Sequence, residues 1–207
     1  MKGKGIPLHP LSIRIWHWTN ALIVLVLIIT GAQLRITDIR IFSDYNFVVA
    51  LHKYAGYFLT VSFLFWLAVY MMEWGLGGLV RNYAVFPKDL RSMPSQAAYY
   101  SFLYFCGKPN PFKPSREVKF NALQKMAYSF TMLIAMPVVI ITGIIFGNIM
   151  DFYGAILFFG GIRVIDAVHV IAGYFFVIYL IVHIYMATLG THVTSHTKAM
   201  ITGYEEE

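Results

Sequence analysis

The chain has 207 residues, of which 58% are hydrophobic and only 13% are charged, and its mean hydropathy is +0.65. Values this apolar exclude an ordinary soluble domain and indicate a membrane protein with room for four or five helical spans. The formal charge of +6 does not point to nucleic acid, because the basic residues flank apolar segments instead of forming a polar surface. The single cysteine, Cys106, excludes an intrachain disulfide, a c-type haem and an iron–sulfur cluster held by this chain alone.

Four apolar segments are predicted to cross the membrane as helices, so the expected fold is an all-α integral membrane four-helix bundle. The spans are approximately residues 13–34, 47–74, 121–146 and 164–189. A polar loop of residues 75–120 joins the second span to the third, and its basic, proline and tyrosine residues predict an ordered or partly helical connection. We expect residues 1–207 to form a single membrane domain.

Three smaller features are visible between and before the spans. The first twelve residues are polar and basic without a cleavage site, so we do not expect a signal peptide. Pro137 predicts a kink in the third span. The apolar patch AILFFGG at residues 155–161 is too short to cross and is expected to lie at the membrane interface.

Lysine and arginine are unevenly distributed between the two sides of the predicted bundle. Twelve of the sixteen lie on the side of the N-terminus, the long loop and the C-terminus. The other side has only Arg35, Arg40, Lys53 and Arg163. The positive-inside rule therefore predicts that both termini are cytoplasmic.

Four histidines lie inside the predicted spans and sort into two pairs by depth. His17 begins an outward span and His183 ends an inward one, so both lie toward the cytoplasm. His52 and His169 each begin an inward span, so both lie toward the outside and form the outer pair. Fourteen residues separate His169 from His183, which puts them within about 40° on one helical face and roughly 21 Å apart along the axis.

The pattern H-x-x-A-G-Y-F occurs twice, beginning at His52 and again at His169. It places Gly56 and Gly173 one turn from their histidines on the same helical face. A glycine at that position leaves room for a flat ligand against the helix.

A second repeated motif, Ile-Ile-Thr-Gly, occurs at residues 28–31 of the first span and 140–143 of the third. It adds two glycines near the level of the outer histidine pair. Small residues in membrane helices also serve plain helix packing, so this motif alone specifies no ligand.

The type of ligand indicates the cofactor. Two imidazoles at each depth, without a nearby carboxylate or thiolate, do not complete a tetrahedral zinc site. They supply both axial positions of a haem b, so we expect two haem b groups and electron transfer, with no catalytic residues in this chain. Two alternatives stay open: a haem-free protein that uses its histidines for proton or metal transport, and a structural anchor whose histidines only pack.

The sequence around these histidines resembles a known family. His17 within RIWHW, His52 within HKYAG, the segment FNALQKMAY, and the pair His169 and His183 resemble the dihaem cytochrome b (gamma) subunits of respiratory formate dehydrogenases and nickel–iron hydrogenases. The resemblance covers nearly the whole chain, including the long loop. It implies one haem between the second and fourth helices near the periplasm and another between the first and fourth helices near the cytoplasm. These pairings match those expected from depth.

The resemblance also implies a menaquinone site on the cytoplasmic side, beside the inner haem. Asn121 resembles the quinone-contacting asparagine of the family, and we assign Gln124 and Lys125 to the same site. An amide and a cation at a helix start can hydrogen-bond a quinone carbonyl and favour its reduced anion. The alternative is that Asn121 is simply a helix N-cap.

The resemblance further implies a membrane anchor within a respiratory oxidoreductase complex, located in a bacterial or archaeal cytoplasmic (inner) membrane and surrounded by lipid. The implied partners are an iron–sulfur or multihaem cytochrome subunit, a catalytic subunit, and menaquinone or another quinone. The chain would then carry electrons between a periplasmic subunit and the quinone pool. Arg14, Lys53 and Arg163 lie near ligands and are candidates for pairing with haem propionates, unless they only snorkel to the interface.

Overall fold

The spanning helices are the main feature of the fold. The computed structural model describes residues 6–7, 10–36, 38–112, 120–190 and 192–205. Within these residues, four helices are long and apolar enough to span a membrane: Leu11–Arg35, Tyr45–Glu73, Ala122–Gly147 and Ile162–Ala187. Each end lies within two residues of the predicted end, so the predicted all-α multi-pass membrane fold is confirmed.

The elements follow one another in a simple order. The helices are α1 (Leu11–Arg35), α2 (Tyr45–Tyr83), α3 (Pro87–Ala98), α4 (Ala122–Phe130), α5 (Met136–Gly147), α6 (Tyr153–Phe158), α7 (Ile162–Ala187) and α8 (Ser195–Thr202). Two π-helical segments occupy Tyr99–Leu103 and Thr131–Ala135. Two short antiparallel strands are β1 (Ile6–Pro7) and β2 (Tyr204–Glu205).

The chain divides into two compact units. Unit A comprises Ile15–Leu67 and Ile134–Leu180, and unit B comprises Met1–Arg14, Ala68–Leu133 and Ile181–Glu207. The sequence predicted a single membrane domain over the whole chain, and that expectation stays a prediction.

Unit A contains part of every spanning helix, and their apolar side chains share one core. Leu59 of α2, Met136 and Ile140 of α5 and Phe176 of α7 are buried together, and Leu27 of α1 packs against them. Because all four helices contribute, burial of this apolar surface fixes their relative register within the unit. The histidines of unit A are therefore carried on a packed scaffold.

A buried glutamine fixes the connection between α1 and α2. Gln33 donates from Nε2 to the Phe42 carbonyl at 2.7 Å, and its Oε1 accepts from the backbone N–H groups of Ile41 and Phe42 at 3.1 and 3.0 Å. These bonds satisfy backbone groups that have no helical partner. They also set where α2 begins, and so help to position His52.

The helix type changes just before Pro137, and the kink predicted there stays a prediction. Thr131–Ala135 is π-helical and α5 begins at Met136, so Pro137 stands in the first turn of α5. The span is helical on both sides of this point, and the proline removes one N–H that would otherwise bond to the preceding turn. The π-helical segment absorbs the irregularity that the proline would otherwise cause within the span.

The connection predicted as partly helical begins with a glycine. Gly75 has φ +59° and ψ −171°, a left-handed backbone that favours glycine, and the helical residues resume beyond it as far as Tyr83. The segment α3 and the π-helical residues Tyr99–Leu103 follow. The prediction of an ordered, partly helical connection is confirmed for its described residues.

Unit B brings together segments from near both ends of the chain. The strand β1 pairs with β2, and the Arg14 guanidinium donates to the Ile201 carbonyl. Both ends of the described chain therefore lie on the same side of the bilayer, as four spans require.

The predicted interfacial patch forms the short helix α6. Its Ile156 is buried with Ile145 and Ile165 in unit A. Gly160 and Gly161 follow with φ of +93° and +98°, which turns the chain into α7. A helix of this length cannot cross a bilayer.

Candidate functional site

Unit A brings His52 of α2 and His169 of α7 opposite each other. Their ring centroids are 6.3 Å apart and their planes make an angle of 77°. Both side chains are half-buried. A first-row metal held between two imidazoles would require roughly 6.4 Å, since a metal–nitrogen bond of about 2.0 Å and about 1.2 Å from nitrogen to ring centre apply on each side. The spacing therefore leaves room for one metal ion between the two rings.

A threonine of the neighbouring helix contacts each imidazole. Thr30 Oγ1 of α1 lies 2.8 Å from His52 Nδ1, and Thr142 Oγ1 of α5 lies 2.8 Å from His169 Nδ1. Each hydroxyl also donates to the carbonyl four residues earlier on its own helix, at 2.7 Å in both cases. A hydroxyl has one hydrogen, so it must accept from the imidazole, which places the proton on Nδ1 and leaves Nε2 as the ligand nitrogen.

A glycine next to each threonine allows the imidazole to approach the helix. A Cβ at Gly31 would lie 3.3 Å from His52 Cε1, and a Cβ at Gly143 would lie 3.3 Å from His169 Cε1. A side chain at either glycine would press on the ring. The repeated Ile-Ile-Thr-Gly motif thus supplies a hydrogen-bond acceptor and clearance for one histidine in each half of unit A.

The two threonines were not among the residues predicted from the sequence. The Ile-Ile-Thr-Gly repeat carries a signal for them, because a threonine occupies the same position of both motifs near the depth of a histidine pair.

Gly56 and Gly173 lie one turn beyond their histidines, as the sequence predicted. Among the described residues, no heavy atom lies within 4 Å of the position that a Cβ would take at either glycine. The described residues therefore leave open space beside each histidine, as a flat macrocycle would need. Their contact with haem stays a prediction.

The donor set favours haem over other metal centres. Across the residues that the structure describes, no three His, Cys, Asp or Glu side chains converge on one point. Zinc and other first-row ions bound by protein alone need at least three such ligands. A haem would bring four nitrogen ligands of its own, so the imidazoles of His52 and His169 would be enough to hold it.

The other predicted pair consists of His17 and His183. His17 belongs to unit A, and its half-buried ring lies edge-on to Trp18 at 5.2 Å between centroids. The preceding Trp16 donates from Nε1 to the Ser62 carbonyl at 2.9 Å, which holds the start of α1 against α2. His183 lies on α7 in unit B and is half-buried. Their pairing stays a prediction.

Asn121 is the N-cap of α4 in unit B. Its Oδ1 accepts from the Gln124 backbone N–H at 2.9 Å, and Gln124 Oε1 accepts from the Asn121 N–H at 3.1 Å, which makes a reciprocal capping box. Its Nδ2 donates to the Tyr100 hydroxyl at 3.0 Å, and the residue is only 1% exposed. The N-cap alternative therefore describes this geometry, and the quinone contact of Asn121 and Gln124 stays a prediction.

Lys125 forms an ion pair with Asp89 of α3, in the connection that precedes α4. Its ammonium lies 3.0 Å from Asp89 Oδ2 and 4.8 Å from the centre of the Phe86 ring. Burial would raise the pKa of Asp89, but the Phe86 N–H and the Lys125 ammonium together hold that pKa below its usual value. The role of Lys125 toward a quinone stays a prediction. In the fold, its ion pair attaches α4 to α3.

Two of the three basic residues considered for haem propionates have contacts within the protein. Lys53 donates from Nζ to the Gly147 carbonyl at 2.9 Å and so caps α5. Arg14 donates to the Ile201 carbonyl. Arg163 is exposed.

Comparison with known proteins identifies the family. Residues 8–203 match the family described as prokaryotic cytochrome b561. The chain is also 25% identical over 215 residues to "Putative cytochrome YdhU" of Escherichia coli (strain K12), a match that covers 98% of this chain and 75% of that protein. The four candidate spans agree with a membrane protein of this family. The chain therefore belongs to the prokaryotic cytochrome b561 family and is a haem b electron-transfer protein of the membrane.

Proposed function

We propose that this protein is the dihaem b membrane anchor of a respiratory oxidoreductase of the formate dehydrogenase or nickel–iron hydrogenase type. The observation that carries the proposal is the pair His52 and His169, whose ring centroids are 6.3 Å apart. Each Nδ1 is hydrogen-bonded to a threonine, which leaves each Nε2 available to bind a metal. A haem iron with two imidazole ligands supplies one-electron transfer and leaves no open position for oxygen chemistry. The chain holds and orients that group and contributes no dehydrogenase residues of its own.

A second haem is proposed at His17 and His183. Support comes from the sequence, in which both histidines fall at the cytoplasmic depth of their spans, and from the resemblance to dihaem subunits. His183 follows His169 by fourteen residues on α7, a rise of roughly 21 Å. Two haems at those depths would bridge much of a hydrocarbon core about 30 Å thick.

The proposed electron acceptor is menaquinone or another quinone near the start of α4, at Asn121, Gln124 and Lys125. The proposed donor is an iron–sulfur or multihaem cytochrome subunit joined to a catalytic subunit. Support for a separate donor is the single cysteine, since one thiolate cannot hold an iron–sulfur cluster. The distribution of Lys and Arg supports an orientation with both termini inside, and the family match supports a prokaryotic membrane.

The hydrogen bonds of the histidines argue against the alternative of a haem-free proton or metal transporter. A proton relay through an imidazole uses both ring nitrogens. At His52 and His169 the Nδ1 proton is tied to a buried threonine, which leaves only Nε2 for exchange. Family membership also favours haem.

Substitution of Asn121 tests the quinone site separately from the helix cap. Asn121→Ser keeps a side-chain oxygen that can cap α4 but removes the amide donor, whereas Asn121→Ala removes both. We expect both variants to slow haem reduction by menadiol, a menaquinol analogue, at least about tenfold. The measurement is stopped-flow absorbance of haem b in the purified protein.

The two variants also separate the possible outcomes. Haem content should stay at the wild-type level in Asn121→Ser, because the cap is retained. A wild-type rate in Asn121→Ser, with a loss of thermal stability confined to Asn121→Ala, would show that Asn121 serves as a cap and would move the quinone site elsewhere.

A further inference from the structure

We infer that Thr30 and Thr142 are a matched pair of positioning residues that fix the tautomers of His52 and His169 and thereby lower the reduction potential of the haem between them. The inference rests on the proposed haem site. It extends that site to two residues that are not ligands.

The assignment of the protons follows from the hydrogen bonds of each threonine. The hydroxyl hydrogen is used on the threonine's own helix, toward a carbonyl at 2.7 Å and a second carbonyl at 3.3 Å, with the same distances at Thr30 and at Thr142. A carbonyl oxygen can only accept, so the hydroxyl donates there and presents a lone pair to the imidazole. The Nδ1–H groups of His52 and His169 are therefore the donors at 2.8 Å.

Burial makes these hydrogen bonds persistent. Thr30 is 0% exposed and Thr142 is 6% exposed, so water does not compete for either hydroxyl. An imidazole that rotated away would leave its own N–H without a partner in an apolar helix bundle, which is costly. Gly31 and Gly143 lie beside the same rings, since a Cβ at either one would come within 3.3 Å of the imidazole Cε1. Each ring is thus fixed in tautomer and in position.

The hydrogen bonds also have an electronic consequence for the iron. An imidazole that donates its second N–H to an oxygen carries more negative charge on the ligating nitrogen and is a stronger base. The ferric ion carries one more positive charge than the ferrous ion, so a more basic ligand stabilises the ferric state more. Both threonines therefore lower the reduction potential.

A purely structural role for the threonines is the competing explanation. Threonines in membrane helices commonly donate to the carbonyl four residues earlier without any further partner. Thr60 of α2 does so, with its hydroxyl 2.9 Å from the Gly56 carbonyl. Thr60 is thus a matched control. Its substitution removes the same kind of intrahelical hydrogen bond, and among the described residues its hydroxyl does not bond to an imidazole.

The test is an optical redox titration of haem b in the full-length protein carrying single valine substitutions. Valine has the shape of threonine and lacks the hydroxyl. Thr30→Val and Thr142→Val should each raise the potential of one haem, changing its reduction equilibrium by up to about tenfold, the range of one hydrogen bond. The double variant should show the sum. Thr30→Ser and Thr142→Ser keep the hydroxyl and should stay near the wild-type potential.

The remaining outcomes decide between the explanations. Unshifted potentials in valine variants that retain haem would overturn the inference, as would an equal shift in Thr60→Val. If the valine variants lose that haem altogether, the serine variants decide. Serine variants that keep the haem at the wild-type potential support the positioning role, and serine variants that also lose the haem overturn it. Absence of haem b from the wild-type protein would instead refute the proposed function.

Discussion

The glycines around the histidine pair act in two different ways. Gly31 and Gly143 bear directly on the imidazoles, because an added Cβ would lie 3.3 Å from a ring carbon. At Gly56 and Gly173, no atom of the described chain lies within 4 Å of an added Cβ. Side chains at the second pair would therefore meet no described atom of the protein, so a role for these glycines toward a group beside the helices stays a prediction.

Valine substitutions at this second pair test the predicted haem contact. Gly56→Val and Gly173→Val should lower haem b content by about one haem per chain, because the side chain occupies the space beside the ligand. Valine is no worse than glycine as a helix former, so the thermal stability of haem-depleted protein should not fall. Pyridine haemochrome analysis and thermal unfolding measure the two quantities.

Gly154 of α6 provides the control for these substitutions. It is also a helical glycine with open space around an added Cβ within the described chain, and it adjoins neither histidine in the sequence. Gly154→Val should bind haem as the wild type does. Equal haem content in Gly56→Val and Gly154→Val would show that the predicted contact is wrong.

The histidine pair could be predicted from the sequence, because His52 and His169 each begin an inward span and each begins the repeated H-x-x-A-G-Y-F pattern. The repeated Ile-Ile-Thr-Gly motif marks the two threonines as candidates but does not show which side chain each one contacts. The contact with Thr30 or Thr142 depends on how two helices are rotated against each other. That rotation is set by packing of the whole core, which a local pattern leaves undetermined. The N-cap at Asn121 was predictable because a cap is local.

At the scale of elements, the long connection is attached to the third span by an ion pair. Asp89 of α3 and Lys125 of α4 meet at 3.0 Å, with side chains that are 17% and 9% exposed. The Phe86 ring covers the ammonium. The sequence predicted an ordered connection from its proline and basic residues but not this attachment, because the two partners are 36 residues apart.

The ion pair predicts a defined dependence of stability on pH. The pKa of Asp89 is lowered in the folded protein, so its contribution is present above the unfolded value of about 3.9 and is lost as the pH falls through the folded value. Asp89→Asn should destabilise unit B by roughly 1–3 kcal/mol near pH 7. The difference from wild type should shrink below about pH 4, as followed by hydrogen exchange in α3 and α4.

The exposed carboxylate of Asp151 provides the control for the Asp89→Asn substitution. Asp151 lies in the turn before α6 and is exposed. Asp151→Asn should leave exchange in α3 and α4 unchanged at every pH. A difference between Asp89→Asn and wild type that persists undiminished at pH 3 would exclude the ion pair as its source.

At the scale of the whole molecule, the spans were predictable to within two residues because bilayer thickness fixes the length of an apolar helix. The division of the chain into two units was not predictable from the sequence, because it depends on which side chains share a core. His52 and His169, their threonines and the four glycines all belong to unit A. The site is therefore built within one unit, from two repeated motifs and a shared apolar core.

Haem quantification in histidine variants tests the central claim most directly. The full-length wild-type protein should contain about two haem b groups by pyridine haemochrome analysis. His52→Ala and His169→Ala should each lose the same single haem, and the double variant should lose no more than either single one, because the two residues share one iron. His192→Ala, in the exposed segment after α7, should keep both haems. A wild-type protein without haem b, or histidine variants that lose both haems or neither, would contradict the account.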